Sequence, residues 1–392
     1  MRSYHCPPIV VLTVICAVFY VSPAVGQQYL CDQGSGKFAG RTTEGVVVTV
    51  GPEREGGLAK RDCDASINWG KEQLVVAANA ATVDLDMMGV TLEKMGPVAA
   101  FQVKSNPNSF MSYVIYSLRR PPHVLRRLSG ASSFSAADTD LDGRVEIWTD
   151  DAAAVDGVDG LLASEFDFLP TSVLRFEHGR VLDVSAQFQP YYDHVIESLR
   201  AGLTAQELAN FKTSGGQPSL QGTAEAQPLY RLRDTKIKIL EIVWAYLYSG
   251  RQKEAWNVLR EMWPSQDVPR IQQAITNARA HGMQSQIDGT APERHKRKRH
   301  AMIFQGSGVA LPRAIQMSVP SSNAPLQVVP DIDVTIELTI DCAGKVRSIE
   351  SSGPKWVHGY LEEAAKGWKF IPAFKVGQSV ASRLKMDVFL QR

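Results

Sequence analysis

The chain lacks most of the features that announce a chemistry. Its 392 residues contain no Gly-x-Ser-x-Gly elbow, no His-Glu-x-x-His helix, no phosphate-cradling glycine loop and no dinucleotide fingerprint. Those absences remove the readable signatures of α/β-type serine hydrolases, zinc proteases, P-loop enzymes and dinucleotide enzymes. Excess charge of one sign is missing too. The 42 Lys and Arg against 41 Asp and Glu leave a net charge of +1, which argues against a general binder of nucleic acid or anionic membranes. Cysteines number five, at spacings that fit no zinc motif. Long apolar runs are absent except for Ile9 to Val21, shorter than the roughly 20 residues that a membrane span needs. No internal repeat is strong enough to mark a propeller.

What the amino terminus does have is a secretory pattern. Arg2 precedes the apolar run and Ala24-Val25-Gly26 follows it, so residues 1–26 read as a signal peptide cut before Gln27. Cys16 is not preceded by a small residue, which argues against a lipid-attachment site. The alternative is an uncleaved segment that anchors the chain. Cys6 and Cys16 would leave with the signal, and an oxidising compartment favours pairing of Cys31 with Cys63. That bridge closes a loop worth about 3 kcal/mol in the chain-entropy account. Cys342 is then left over. It is either a half-buried small residue or free for an intermolecular bridge.

Apolar residues make up 44% and charged residues 21%, an ordinary globular balance with room for two or three domains. The expected fold class is α+β and multidomain. A β-rich domain over 27–190 is expected from short apolar segments at Gly45–Val50, Leu74–Ala78, Thr82–Leu85, Val98–Val103 and Tyr113–Leu118, separated by turn residues. Sandwich, barrel and blade all remain open for it. Ser172–Phe176 and Val181–Phe188 flank His178-Gly179-Arg180 as a hairpin, and the acidic stretch Asp150 to Gly160 reads as a loop.

A helical domain follows over 191–285. Pro190 opens one helix, and Thr204 with Glu207 makes a capping box for the next. Leu232 to Tyr248 reads as a buried helix. Ala255, Val258, Leu259 and Met262 form a single-face stripe. Asp267 reads as the cap of a last helix, whose stripe is Ile271, Ala274, Ile275 and Ala278. Trp244, Trp256 and Trp263 are expected in the core. Residues 286–325 are basic and then rich in Pro and Ser, a linker.

Between these signals lies ADTDLDGRVE, Ala137 to Glu146. Asp138, Asp140 and Asp142 stand at loop positions one, three and five, Gly143 at the sharp turn, the Arg144 carbonyl at seven and Glu146 at nine. Calcium takes six to eight oxygens on such a bent loop. Three close carboxylates also repel one another unless a cation stands between them. Thr149 replaces the bidentate Glu of an EF-hand, and Val145 to Trp148 reads as a strand. The loop therefore resembles the Asp-rich loops of FG-GAP sheets more than an EF-hand. A structural Ca²⁺ is one reading, and a metal-free Asp/Gly-rich turn is the other.

The last stretch carries the strongest pattern. Ile336, Leu338 and Ile340 alternate with polar residues, and Ala343-Gly344 supplies a turn. Tyr360, Leu361, Ala364, Ala365 and Trp368 form a helical stripe that Pro372 is expected to end. Leu384, Met386, Val388 and Leu390 alternate in a closing strand. Gly344-Lys345-Val346, Ser351-Ser352-Gly353, Ala364-Ala365, Trp368-Lys369-Phe370 with Pro372-Ala373, Gly377 and Asp387-Val388-Phe389 together resemble the C-terminal domain of the TonB family of bacterial envelope proteins. The resemblance covers residues 326–392 only.

It implies a small ββαβ module whose final strand pairs with an extended segment of a partner. Here that strand would use Arg383, Leu384, Lys385, Met386, Asp387, Val388, Phe389 and Leu390. The implied partner is an envelope or outer-membrane protein. The implied location is the periplasm or cell envelope, or the inner membrane if the N-terminal segment is retained. The chain departs from the force-transmitting members of that family. His5 lies before the apolar run, not in it, and the 21 prolines are scattered.

No catalytic residue emerges. His178 and His194 stand near Glu177, Asp183, Ser185 and Asp193 in sequence, but single histidines beside acids are usually surface hydrogen-bonders. The expected function is that of a non-enzymatic exported envelope protein with a protein-binding C-terminal module, linked to envelope transport. The alternative is an extracytoplasmic hydrolase that uses the module as a tether.

Overall fold

The computed structural model describes residues 29–52, 62–92, 95–216, 226–291, 303–304, 310–317, 332–353 and 355–390. The expected signal peptide, the polar turn at 53–60 and the basic run after Pro292 lie outside them. The described chain is mixed α/β, with antiparallel sheets and seven α-helices.

Alternation of apolar and polar residues builds the first half. The strands are β1 (Cys31–Asp32), β2 (Phe38–Arg41), β3 (Val47–Gly51), β4 (Cys63–Trp69), β5 (Glu72–Ala80), β6 (Thr82–Thr91), β7 (Pro97–Lys104), β8 (Met111–Ser117), β9 (His123–Ala131), β10 (Phe134–Ala137), β11 (Glu146–Asp150), β12 (Thr171–Glu177) and β13 (Arg180–Asp183). They form three sheets, ordered β1-β6-β7-β8-β9, β2-β3-β4-β5 and β10-β11-β12-β13.

The five-stranded sheet has a core on each face. Val48, Val50, Ile67, Leu85, Phe101 and Tyr116 share one. Met87, Val90, Tyr113, Phe134, Ile147 and Leu174 share the other. A strand covered on both faces has no solvent side, and β6 is buried from Thr82 to Val90. The Cys31–Cys63 disulfide forms as expected and ties β1 of the central sheet to β4 of its neighbour. No segment of the sequence pattern covers β1, β2, β4, β9 or β10, which are short or rich in polar and small residues that hide the period of two. The stretch read as a loop contains a short helix, α1 (Ala152–Val155).

Helices α2 (Gln189–Ala201), α3 (Ala205–Thr213), α4 (Ala226–Tyr248), α5 (Gln252–Met262) and α6 (Val268–His281) follow. They close over Trp244, Trp263 and the α5 stripe, together with Val155, Leu161 and Phe166 from the preceding segment. The Thr204–Glu207 capping box is present. Asp267 differs from expectation. Its carboxylate makes no cap bond and instead accepts from Trp263 Nε1 at 2.8 Å and from Arg270. Among the described residues no helix is long and apolar enough to cross a membrane.

The remainder comprises β14 (Arg313–Gln316), β15 (Ile332–Ile340), β16 (Val346–Ser351), α7 (Lys355–Ala365), β17 (Lys369–Ile371), β18 (Ala373–Lys375), β19 (Gln378–Val380) and β20 (Ser382–Leu390). A three-stranded sheet, β16-β15-β20, packs Val334, Ile336, Leu338 and Ile340 against Leu361 and Trp368. Two expectations are corrected here. The helix stops at Ala365, ahead of Lys366-Gly367, and Trp368 enters the core from the following turn. The residues read as a 286–325 linker include β14, which pairs with β17 and buries Ile315.

The C-terminal region is held to the central sheet at one exposed edge. β1 covers only the start of β6, pairing Cys31 with Val83 and Asp32 with Thr82. Beyond that point the C-terminal residues answer the polar groups of β6. Lys369 Nζ pairs with the fully buried Asp84 at 2.5 Å. Lys345 pairs with Asp86 and also donates to the Asp86 carbonyl at 3.2 Å. Ser379 Oγ accepts the Thr91 N–H at 3.0 Å. Gly89 sits at a bulge with φ +75°, where an added Cβ would lie 3.3 Å from the Phe374 ring. Backbone groups on a strand edge must be paired or hydrated, and this region supplies partners along β6.

The two ion pairs differ in what remains when the lysine is removed. Asp86 keeps Tyr113 OH at 2.7 Å and the Ala136 N–H at 2.8 Å. Asp84 keeps only Leu30 N and Gln102 Nε2, each at 3.3 Å. Lys369→Met should therefore cost about 3–5 kcal/mol, and Lys345→Met clearly less, by chemical denaturation. Equal losses would contradict this account of the edge.

Burial also pushes the Glu241 carboxyl up to about 7, against the hydrogen bond it accepts from the Phe168 N–H. A carboxyl raised in the folded state keeps a proton that the unfolded chain releases, so stability falls as pH rises from about 4.5 through 7. The stability of Glu241→Gln relative to the parent should be greater at pH 8 than at pH 4, by on the order of 2 kcal/mol. A difference independent of pH would contradict this.

Candidate functional site

The Asp-rich loop connects β10 to β11, and two left-handed residues turn it, Leu141 (φ 56°) and Gly143 (φ 83°). Ligand oxygens of Asp138, Asp140 and Glu146 lie within 4.8 Å of one another. Asp138 is 1% exposed, Glu146 is fully buried, and Asp140 faces solvent. Asp138 Oδ2 accepts from the Gly143 N–H at 3.0 Å and from Cys342 Sγ at 3.3 Å. Its Oδ1 is buried and has no hydrogen-bond partner among the described residues.

Of the five residues read as ligands, Asp138, Asp140 and Glu146 make up the carboxylate cluster. Asp142 stands outside the cluster, because Arg144 folds back on it. The Arg144 N–H and Nε each donate to it at 2.9 Å, and its Nη2 sits 2.7 Å away. Arg144 thus serves as the local counter-ion of Asp142. Spacing alone placed Asp142 inward and could not see the adjacent guanidinium competing for it.

Residues distant in sequence complete the surroundings. Arg175 of β12 pairs with Glu146 through Nε and Nη2, and the Thr139 N–H donates to the other Glu146 oxygen at 3.0 Å. The Asp138 N–H donates to Asp341 Oδ2 at 2.9 Å, and Arg347 Nη2 donates to the Thr139 carbonyl at 3.1 Å. None of these contacts had a local signal in the sequence. Burial, and then the neighbouring Asp341 charge, push the Asp138 carboxyl up to about 7. Burial pushes Glu146 up to about 8 even with Arg175 pulling it down. Asp140 is exposed as a residue, but neighbouring groups crowd its carboxyl enough to raise it by partial desolvation and then by the Asp142 charge. The cluster therefore favours bound protons or a cation over three bare negative charges.

The closing strand is the second candidate. Ser352 N–H donates to the Thr335 carbonyl, so Thr335 faces β16 and the even-numbered residues of β15 face β20. With the register Ile336↔Met386 and no slip along the ladder, Leu384, Met386, Val388 and Leu390 spend their backbone groups on β15. The groups of Arg383, Lys385, Asp387 and Phe389 point the other way. The Phe304 N–H reaches the Ala381 carbonyl at 3.0 Å and bridges Ser382. Past that bridge no described residue pairs with the outer edge. Half of the eight residues expected to bind a partner thus present backbone outward, and Leu384, Met386 and Val388 pack on the module's core instead.

The residues weighed for hydrolysis lie in ordinary structural places. His178 is the exposed φ 51° residue of the β12–β13 turn, and His194 is exposed on α2. Ser185 is 1% exposed, and its Oγ accepts the Val173 N–H at 2.8 Å. A shallow concavity of about 520 Å³ on the β2–β5 sheet is lined by Phe38, Thr49, Ser66, Val75 and Ala77 among others, and includes neither histidine.

Cys342 is 2% exposed, and burial together with Asp138 and Asp341 raises its thiol. The small buried residue is thus the reading its surroundings favour. A maleimide at pH 7.5 should leave Cys342 unmodified in the folded protein and label it fully in denaturant. Rapid labelling of the native chain would contradict its placement. No protein-family model, curated protein or solved structure matches the chain.

Proposed function

We propose that the protein is a non-enzymatic, exported component of the bacterial cell envelope, with a β-rich domain, a helical domain and a C-terminal ββαβ module similar to that of the TonB family. The module captures an extended segment of an envelope or outer-membrane partner by strand addition. The observation that carries this reading is the pairing of β20, which past its bridge to Phe304 is one-sided among the described residues. All nine of its residues pair with β15, and its other edge carries outward N–H and C=O groups from Arg383 to Phe389. Such an edge gains main-chain hydrogen bonds from any extended chain laid beside it, while flanking side chains select among candidates. Arg383, Lys385 and Asp387 are exposed beside it. Lysine on an edge discourages unselective pairing between copies, so a partner must match this mixed charge. The two lysine–aspartate pairs at β6 suit a docking role, because they tie the module to the central sheet while its far edge, past the Phe304 bridge, meets no described residue.

The test uses the full chain in cells. A photoreactive phenylalanine analogue at Lys385 should crosslink to one envelope polypeptide. Adding Asp387→Pro removes an outward donor and, on the β15 side, only the bond from Thr335 Oγ1 to the Asp387 carboxylate, leaving the backbone ladder in place. It should reduce that crosslink roughly tenfold, the weight of one or two lost hydrogen bonds, with little change in melting temperature. A crosslink indifferent to the proline, or none at all, would contradict strand addition.

A further inference from the structure

We propose that Asp138, Asp140 and Glu146 hold one calcium ion, and that this ion locks the β10–β11 loop to the turn between β15 and β16. The first half rests on donor chemistry. Three carboxylates each offer an oxygen within 4.8 Å of the other two, and Glu146 gives Arg175 only Oε1, which leaves Oε2 with the Thr139 N–H alone. All three donors are hard oxygens, and the described cluster contains no nitrogen or sulfur ligand atom, which favours calcium over zinc or copper. Asp138 supplies the second observation. It is 1% exposed, its N–H and Oδ2 are both hydrogen-bonded, yet among the described residues Oδ1 has no partner. A buried carboxylate oxygen left bare is costly, and a cation between Asp138 and its two neighbours removes that cost. Asp140, on the solvent side, leaves room for the waters that complete a coordination shell.

The second half rests on what Asp138 touches. Its N–H is held by Asp341 and its Oδ2 takes the Cys342 thiol. Asp341 in turn accepts the N–H groups of Ala343 and Lys345, both at 2.9 Å. Lys345 is the residue that pairs with Asp86 on β6. An ion that fixes the Asp138 side chain therefore stiffens a continuous chain of contacts running to the central sheet. This inference does not depend on strand addition at β20.

Terbium is the probe, because Trp148 lies beside the loop. Its Nε1 donates to Thr139 Oγ1 at 2.7 Å, close enough to sensitise lanthanide emission. Chelator-treated full-length protein should give saturable terbium luminescence that calcium displaces and equimolar magnesium does not. Calcium should also raise the melting temperature. Asp140→Asn, at an exposed position that leaves folding intact, should weaken calcium binding by at least about tenfold. Asp142→Asn should change it less than about twofold, because that carboxylate belongs to Arg144. In hydrogen exchange, calcium should slow the Ala343 and Lys345 amides of the parent and not those of Asp140→Asn. Absence of a calcium-dependent signal in the parent, or equal loss in the two variants, would overturn the site. Binding that leaves the Ala343 and Lys345 amides unchanged would overturn the lock.

Discussion

Two buried carboxylates on one strand organise this molecule. Asp84 and Asp86 lie on β6, which is covered on both faces, and neither can reach water. A charge so placed must be paired or the strand cannot stay where it is. The partners come from more than 250 positions away, as Lys345 at the β15–β16 turn and Lys369 on β17. The central sheet therefore depends on the last quarter of the chain to complete its edge. That region in turn is not merely appended through a flexible linker. β14 and Ile315 thread the intervening segment into the same core.

The sequence disclosed the pieces better than their assembly. Ile336, Leu338 and Ile340 announced a half-buried strand because period two survives intact there. The α5 stripe and the Thr204–Glu207 box were equally legible, since each depends on residues within one or two turns. What failed was what spacing alone does not encode, near or far in the chain. Asp142 looked like a ligand until Arg144 folded back on it. Trp368 looked helical because its spacing from Ala364 and Ala365 fits both a helix and a turn that re-enters the core. Lys345 and Lys369 stood in the C-terminal pattern, but nothing in one sequence says that their ammonium groups reach Asp84 and Asp86. Glu146 was legible as an acid, but its contact with Arg175 was not.

The acidic loop and the β20 edge relate to this frame from opposite sides. The loop sits where the β10–β13 sheet meets the β15–β16 turn, and Asp341 serves both. Gly344 is required at that turn. Its φ is +86°, and any Cβ would lie 1.8 Å from the Phe370 carbonyl oxygen, a close approach open only to glycine. The β20 edge lies on the far side of the same three-stranded sheet, beyond β15. Past the Phe304 bridge no described residue pairs with that edge, and the proposed capture of a second chain uses it.

Native-state hydrogen exchange on the full chain tests this account most directly, because it reads both sides of the sheet at once. The β6 amides from Leu85 to Val90 and the inward amides of β15 and β20 should open together at one high free energy. The outward amides of Lys385 and Asp387 should exchange far faster. If the β15–β20 amides open well before β6, the C-terminal region is a loosely attached unit and the lysine–aspartate edge is not what holds the fold. If the Lys385 and Asp387 amides are as protected as their inward neighbours, the edge is already paired and cannot receive a partner.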